Sequence, residues 1–264
     1  MKWPQSLTFI RHGESAYNIL KKNKNEDSLY LEFKAVFDEE YDNFDIAKWP
    51  SEKLASLARS IFNKFKVNVS DYATPLTKDG VRQANETAKK LSSVIARPDI
   101  VYVSPFIRTR QTLDALTSGC QLLKDVRVVV EERIREQEHG LSTVYNDWRV
   151  YIVLQPEQAA LFRMEGDYEY KFLNGENKSD VRDRARSFVE TLIREHAGEN
   201  VLVVSHHLTL LSLRANLERW DREKFIEVDE NDKPINCGVT IYKGHPELGK
   251  NGKLMMDQYN IKLY

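Results

Sequence analysis

The chain has 264 residues, of which 41% are hydrophobic and 30% are charged. This length allows one large α/β domain, or a core domain that carries insertions. The 39 basic and 40 acidic side chains leave a formal net charge of −1, so no overall field attracts a nucleic acid or an anionic membrane. We therefore expect neither partner, and any anion-binding site must be local.

The sequence also bears on location. No apolar run approaches the roughly 20 residues that span a bilayer. The residues before the first strand-like run lack the basic and apolar regions of a signal peptide. Cys120 and Cys237 are far apart, without the spacing of a metal or redox motif. These features predict a cytoplasmic protein.

Four short runs of apolar and β-branched residues predict core strands at residues 7–10, 99–103, 126–130 and 200–204. Helical spacing of apolar residues follows a plausible N-cap at Thr77, with Val81, Ala84, Ala88, Leu91 and Ile95 on one face. Residues 108–116, 181–193 and 208–217 have similar helical patterns. The alternation predicts a three-layer α/β/α fold, with a mainly parallel central sheet and helices on both faces.

Two stretches interrupt this alternation within a predicted single domain of residues 1–264. The first, about 21–73, begins polar and contains an amphipathic helix at residues 54–65, which we interpret as extra packing surface. The second, about 141–175, is rich in aromatic residues. A cleft enzyme needs walls that exclude water, so we expect this second insertion to form a cap over the active site.

Polar segments follow each predicted strand. They are Arg11–Ser15, Ser104–Thr112, Arg133–Gly140 and Ser205–His207. Ligands of parallel sheets bind beyond the carboxyl ends of the strands, so the four segments are expected to converge on one pocket.

Taken together, the segments resemble the histidine phosphatase (phosphoglycerate mutase-like) superfamily, of the branch 1 type. Its signatures are Arg-His-Gly, Ser-x-x-x-Arg, Glu-x-x-x-Gly and a second His near the fourth strand, and the resemblance runs from Leu7 to about Leu217. It implies that His12 is the nucleophile and that Arg11 and Arg108 are phosphate ligands. It also implies that His206 is a further phosphate-binding group and that Glu136 is the proton donor.

The chemistry of phosphoryl transfer is consistent with these roles. The transferring group spreads negative charge over its oxygens, and two guanidiniums supply planar, permanently charged donors for them. Positive charge from Arg11 and Arg108 favours the neutral form of His12. A protonated Glu136 could give a proton to the leaving oxygen and then activate water. Because these cations already neutralise the phosphate, we expect no metal and no other cofactor.

Other residues have weaker support. Ser15 and Asn18 match positions near the phosphate in the family, although a polar residue at the start of a helix is often only a cap. Glu138 is the alternative candidate for the proton donor. Glu136 is preferred because its spacing to Gly140 matches the family. His207 stands where the family usually has Gly, and its role is open. Ser15, Asn18 and His207 are thus candidate substrate-binding residues.

The resemblance implies a metal-independent phosphomonoesterase that acts on a small phosphorylated molecule. A mutase that returns the phosphoryl group to its substrate is the first alternative, and a non-catalytic phospho-ligand binding module is the second. Residues 135–140 and 205–208 differ from the corresponding mutase segments, which favours the hydrolase. The sequence indicates neither the physiological substrate nor the oligomeric state.

Overall fold

The computed structural model describes residues 2–42 and 49–264. They form two compact units. The first comprises the residues up to 16 together with 72–137 and 178–264, and the second comprises residues 17–71 and 138–177. No helix in the described part of the chain is long and apolar enough to cross a membrane.

The first unit is built on a six-stranded sheet. Its strands are β1 Ser6–Arg11, β2 Ile100–Val103, β3 Arg127–Val130, β4 Asn200–Ser205, β5 Val239–His245 and β6 Lys253–Ile261. Their order is β3-β2-β4-β1-β5-β6, with β3, β2, β4 and β1 parallel and the β1–β5 and β5–β6 pairs antiparallel. The mainly parallel sheet is confirmed, and four of its strands lie where the sequence predicts them.

The helices are α1 Ala16–Asn25, α2 Ser28–Asp42, α3 Glu52–Phe65, α4 Lys78–Leu91, α5 Ile107–Gly119, α6 Ser142–Tyr145, α7 Trp148–Leu154, α8 Pro156–Glu169, α9 Lys178–Glu195, α10 His207–Glu218 and α11 Arg222–Asn231. Short 3₁₀ turns lie at Gln121–Leu123 and Glu132–Ile134. Gly166 interrupts α8 with φ 76°, so this helix has two parts.

Both faces of the sheet are covered, as the predicted three-layer fold requires. Alternate residues of a strand point to opposite faces. Phe9 of β1 belongs to a buried cluster with Phe188 of α9 and Leu213 of α10. Ile10, the next residue, belongs to a second cluster with Leu91 of α4 and residues of α5. Burying side chains of this size stabilises the fold by about 1.5–3 kcal/mol each.

The start of α4 follows the sequence pattern, and Ala84, Ala88 and Leu91 are buried as predicted, but the other two positions of the predicted face differ. Thr77 caps the helix by accepting a hydrogen bond from the Gly80 N–H at 2.9 Å. The expected apolar position Val81 is 40% exposed, and Ile95 lies beyond the helix end. Gly80 occupies the buried position instead, because a Cβ there would lie 2.0 Å from the Glu14 carbonyl oxygen.

The second unit has its own aromatic core, to which both of its chain segments contribute. Phe33 and Phe37 of α2 and Tyr151 of α7 are almost fully buried in it. As predicted, residues 54–65 are helical, and α3 buries Leu54, Ala58, Ile61 and Phe65 in this core. The Lys24 ammonium is also buried, 2.5 Å from the Asp147 carboxylate.

Candidate active site

Three segments meet where parallel strands of the first unit end. Arg11, the last residue of β1, lies beside Ser205 at the end of β4. The His12 N–H donates to the Ser205 carbonyl at 3.0 Å, and the Ser104 N–H donates to the Val204 carbonyl at 3.1 Å. These backbone bonds place residues 12, 104 and 206 at the carboxyl edge of the sheet, where the strand order predicts a site.

The ring of His12 is held from both sides. Nε of Arg108 donates to Nε2 of His12 at 3.3 Å, and Nδ1 lies 2.7 Å from the Gly13 carbonyl oxygen. A guanidinium only donates and a carbonyl only accepts. Nε2 must therefore carry the lone pair and Nδ1 the proton, which identifies the ring nitrogen that is available as a nucleophile.

Burial and two arginines keep His12 neutral. The ring is only 3% exposed. Burial, followed by the positive charges of Arg108 and Arg11, holds the pKa of His12 well below its usual range. Arg11 is itself fixed by donating from Nη1 to the Pro234 carbonyl at 2.6 Å. The predicted nucleophile and both predicted arginines thus act on one another directly.

His206 supplies a second imidazole. Its Nε2 lies 2.7 Å from Oγ of Ser104, and its ring centroid lies 5.1 Å from that of His12. Its Nδ1 is buried and makes no hydrogen bond with any described residue. His206 also precedes α10, whose first N–H groups form a ready anion site. Burial, Arg108 and His12 hold the pKa of His206 well below its usual range.

The loop after His12 depends on two glycines that approach each other closely. A Cβ on Gly13 would lie 2.5 Å from the Gly80 carbonyl oxygen. The Gly13 N–H donates to Oγ1 of Thr112, in the same helix as Arg108, at 3.0 Å. Ser15, which is 1% exposed, forms an isolated β-bridge with Leu76.

Glu136 lies on a loop that Arg184 of α9 fixes. The Arg184 guanidinium donates to the carbonyl groups of Arg133, Arg135 and Glu136 at 2.7–3.0 Å. The Glu136 carboxylate accepts from the Gln137 N–H at 3.1 Å, and its charge acts on Arg11. Nothing in the sequence distinguishes Arg184 from the other arginines of α9, so its role was not predicted.

His207, the first residue of α10, belongs to a charged cluster. Its Nε2 lies 3.0 Å from Oδ1 of Asp229, and Oδ2 of Asp229 accepts from Nζ of Lys178 at 2.7 Å. Asp229 and Lys178 had no motif to single them out. Asn18 lies in α1, in the second unit. The binding roles of His207, Ser15 and Asn18 stay predictions.

Comparison with known proteins identifies a family. The model of the histidine phosphatase superfamily (branch 1) matches residues 62–250, a range that includes Arg108, Glu136 and His206 and begins after His12. The phosphoglycerate mutase-like protein AT74H of Arabidopsis thaliana is 32% identical over 203 residues, which cover 69% of this chain and 67% of that protein. Phosphoserine phosphatase 1 of Hydrogenobacter thermophilus is 29% identical over 152 residues, which cover 57% of this chain and 67% of that protein.

Solved structures share the fold. The alpha-ribazole phosphatase of Shigella flexneri superposes with a TM-score of 0.63 at 18% identity, covering 97% of this chain and 96% of that one. A mycobacterial glucosyl-3-phosphoglycerate phosphatase superposes with a TM-score of 0.60 at 19% identity, covering 97% and 99%.

Proposed function

Because this chain belongs to the histidine phosphatase superfamily (branch 1), we propose that it hydrolyses phosphomonoesters of small molecules through a covalent phosphohistidine at His12. One observation carries the proposal. Nε2 of His12 accepts from Arg108 while Nδ1 faces the Gly13 carbonyl, so a neutral imidazole presents its lone pair beside a guanidinium. A metal ion has no part in this mechanism.

In the first step, the phosphoryl group binds between Arg108, Arg11 and His206. The positive charges of the two arginines and the N–H groups of all three residues face its equatorial oxygens, where negative charge accumulates in the transition state. As the phosphoryl group binds, the Arg108 N–H turns from Nε2 of His12 to a phosphate oxygen, and the freed lone pair of Nε2 forms the P–N bond as the P–O bond breaks. The Gly13 carbonyl accepts from Nδ1–H and stabilises the positive ring that results.

The leaving oxygen needs a proton, and we assign its donation to Glu136. Arg184 holds the backbone of this residue, and the carboxylate accepts from the Gln137 N–H. The second step, attack of water on the phosphohistidine, needs a base. The sequence resemblance implies that Glu136 also serves there.

The choice of a hydrolase over a mutase rests on residues outside the shared machinery. Both reactions use His12, and the relatives of this chain bear both kinds of name. Residues 135–140 (REQEHG) and 205–208 (SHHL) differ from the mutase segments Glu-Arg-His-Tyr-Gly and His-Gly-Asn. A small phosphorylated metabolite is the proposed substrate class.

The test is phosphate release from a panel of phosphomonoesters with a chelator present. The panel holds 4-nitrophenyl phosphate, phosphoserine, 3-phosphoglycerate, a hexose phosphate and a nucleoside monophosphate. Wild-type activity should survive the chelator, and His12→Ala should abolish it. The exposed His245, at the end of β5, gives the control His245→Ala, which should match the wild type. Isomerised phosphoglycerate that requires a bisphosphate primer, with little free phosphate, would establish the mutase instead.

A further inference from the structure

His207 connects the candidate site to a buried pair of opposite charges. It directly follows His206, and its ring faces Asp229 of α11, which is paired with Lys178 at the start of α9. The Asp229 and Lys178 side chains are only 12% and 9% exposed, whereas the His207 side chain keeps 20% of its surface exposed. One edge of the imidazole is therefore held by protein while another stays accessible to water.

The contact with Asp229 determines which nitrogen of His207 is free. An ionised carboxylate only accepts, so in the neutral ring Nε2 carries the proton and Nδ1 carries the lone pair. Nε2 and the facing Oδ1 are both buried and lie 3.0 Å apart, a contact between ionisable groups that does not meet hydrogen-bond geometry, and neither atom has a hydrogen-bond partner among the described residues. Burial raises the pKa of Asp229, but His207 and Lys178 outweigh this and keep the carboxyl ionised.

His207 directly follows His206, whose ring centroid lies 5.1 Å from that of His12, and it is coupled to the reacting groups by charge. A positive charge on His207 lowers the pKa of His12, and the charges of Arg11 and Glu136 act on His207 in turn. Burial lowers the pKa of His207, and the opposing effect of Asp229 only partly compensates. Burial thus favours the uncharged ring, and part of its side chain stays exposed.

Resting on the phosphohistidine pathway proposed above, we propose that His207 is the base that takes the proton of the attacking water in the second step. The water oxygen forms a bond to phosphorus as the P–N bond to His12 breaks. The electron pair of that bond returns to Nε2 of His12, and the water proton moves to Nδ1 of His207. Glu136 then serves the first step only, and the cycle closes when His207 releases its proton to solvent and Glu136 takes one up.

Asp229 and Lys178 complete this arrangement. Asp229 orients the ring and stabilises the imidazolium that forms, as an aspartate does beside a catalytic histidine. Lys178 holds the other carboxylate oxygen and so fixes the direction of Oδ1. The glycine that usually follows the second histidine in this family has no side chain to accept a proton.

The experiment separates the two steps. Excess enzyme is mixed with ³²P-labelled 4-nitrophenyl phosphate, and acid-labile phosphoenzyme is followed through formation and decay by rapid quench. His207→Gln, which keeps a polar side chain but cannot act as a base, should form phosphoenzyme at close to the wild-type rate and lose it ~10²-fold more slowly. Asp229→Asn should slow decay less. His207→Gly should regain decay when free imidazole is added, and the control His245→Ala should match the wild type.

Each outcome has a distinct meaning. If His207→Gln slows formation and decay equally, with no rescue of His207→Gly by imidazole, the residue is structural and the inference is wrong. If formation slows and KM rises while decay is unchanged, His207 binds the phosphoryl group and is not the base. If the wild type forms no phosphoenzyme, the proposed function fails, which the wild-type trace alone reveals.

Discussion

Oγ of Ser104 lies 2.7 Å from Nε2 of His206, and the other nitrogen of that ring makes no hydrogen bond with any described residue. The hydroxyl can donate to Nε2 or accept from it, and the tautomer in which it donates leaves Nδ1–H to donate a hydrogen bond to a phosphate oxygen. Ser104 is fully buried, at the end of β2. The orientation of the His206 ring therefore depends on one serine that the sequence motif includes but does not explain.

Ser104→Ala should lower kcat/KM about 10- to 100-fold. It leaves Nε2 of His206 buried without a partner, a loss of about 1–3 kcal/mol, and each 1.4 kcal/mol lost from the transition state slows the reaction tenfold. Steady-state kinetics with 4-nitrophenyl phosphate measures the effect. The exposed Ser118 of α5 gives the control Ser118→Ala, which should be near wild type. An unchanged kcat/KM for Ser104→Ala would remove Ser104 from the site.

Stability should fall as the pH drops below about 6.5, the ordinary pKa of histidine. His12, His206 and His207 have pKa values below that in the folded protein, so between the folded and ordinary values the unfolded chain binds more protons. Each histidine then lowers the free energy of unfolding by at most about 1.4 kcal/mol per pH unit on the acid side. Above pH 7 these histidines are neutral in the folded and the unfolded protein, so they no longer change the free energy of unfolding with pH.

Urea unfolding of the wild type at pH 7.5, 6.5 and 5.5 measures this slope. His206→Asn should reduce it, whatever its effect on stability at pH 7.5, and His245→Asn at the exposed site should leave it unchanged. If the free energy of unfolding of the wild type does not change between pH 6.5 and 5.5, these histidine rings do take up protons in the folded state.

The sequence predicts the four parallel strands of the sheet, including the exposed edge strand β3, but not the antiparallel strands β5 and β6. Strands β1, β2 and β4 are buried runs of β-branched and apolar residues, a pattern that needs no partner to be recognised. Strand β6 is mostly exposed, and its antiparallel pairing with β5 contains register shifts, so neither a buried run nor a regular alternation marks it. The sequence analysis predicted neither β5 nor β6.

Only part of the candidate site can be predicted from the sequence. Strand ends bring His12 and His206 together, and a motif at each strand end predicts that meeting. The protonated nitrogen of His12 depends on distances to Arg108 and Gly13, which no sequence pattern contains. The pairing of His207 with Asp229 depends on how α10 and α11 pack, so it becomes visible only in three dimensions.

Lys24→Met should destabilise the second unit by about 3–5 kcal/mol, because it leaves the Asp147 carboxylate as an uncompensated buried charge. The Lys24 and Asp147 side chains are 1% and 5% exposed. Chemical unfolding followed by tryptophan fluorescence measures the change. The exposed Lys53, 4.0 Å from Glu32, gives the control Lys53→Met, which should change stability little. Equal losses of stability in the two variants would show that the buried pair contributes no more to stability than the exposed pair.

Glu136→Gln should slow substrates in proportion to their need for a proton. A nitrophenolate leaves readily without one, whereas the serine alkoxide does not, so kcat/KM for phosphoserine should fall much further than kcat/KM for 4-nitrophenyl phosphate. This ratio reports the first step, because kcat/KM includes only events up to formation of the phosphoenzyme. Glu138→Gln is the matched control, since this carboxylate lies two residues away and in the second unit. Equal losses for both esters in Glu136→Gln would exclude Glu136 as the proton donor, and a selective loss in Glu138→Gln would assign that role to Glu138.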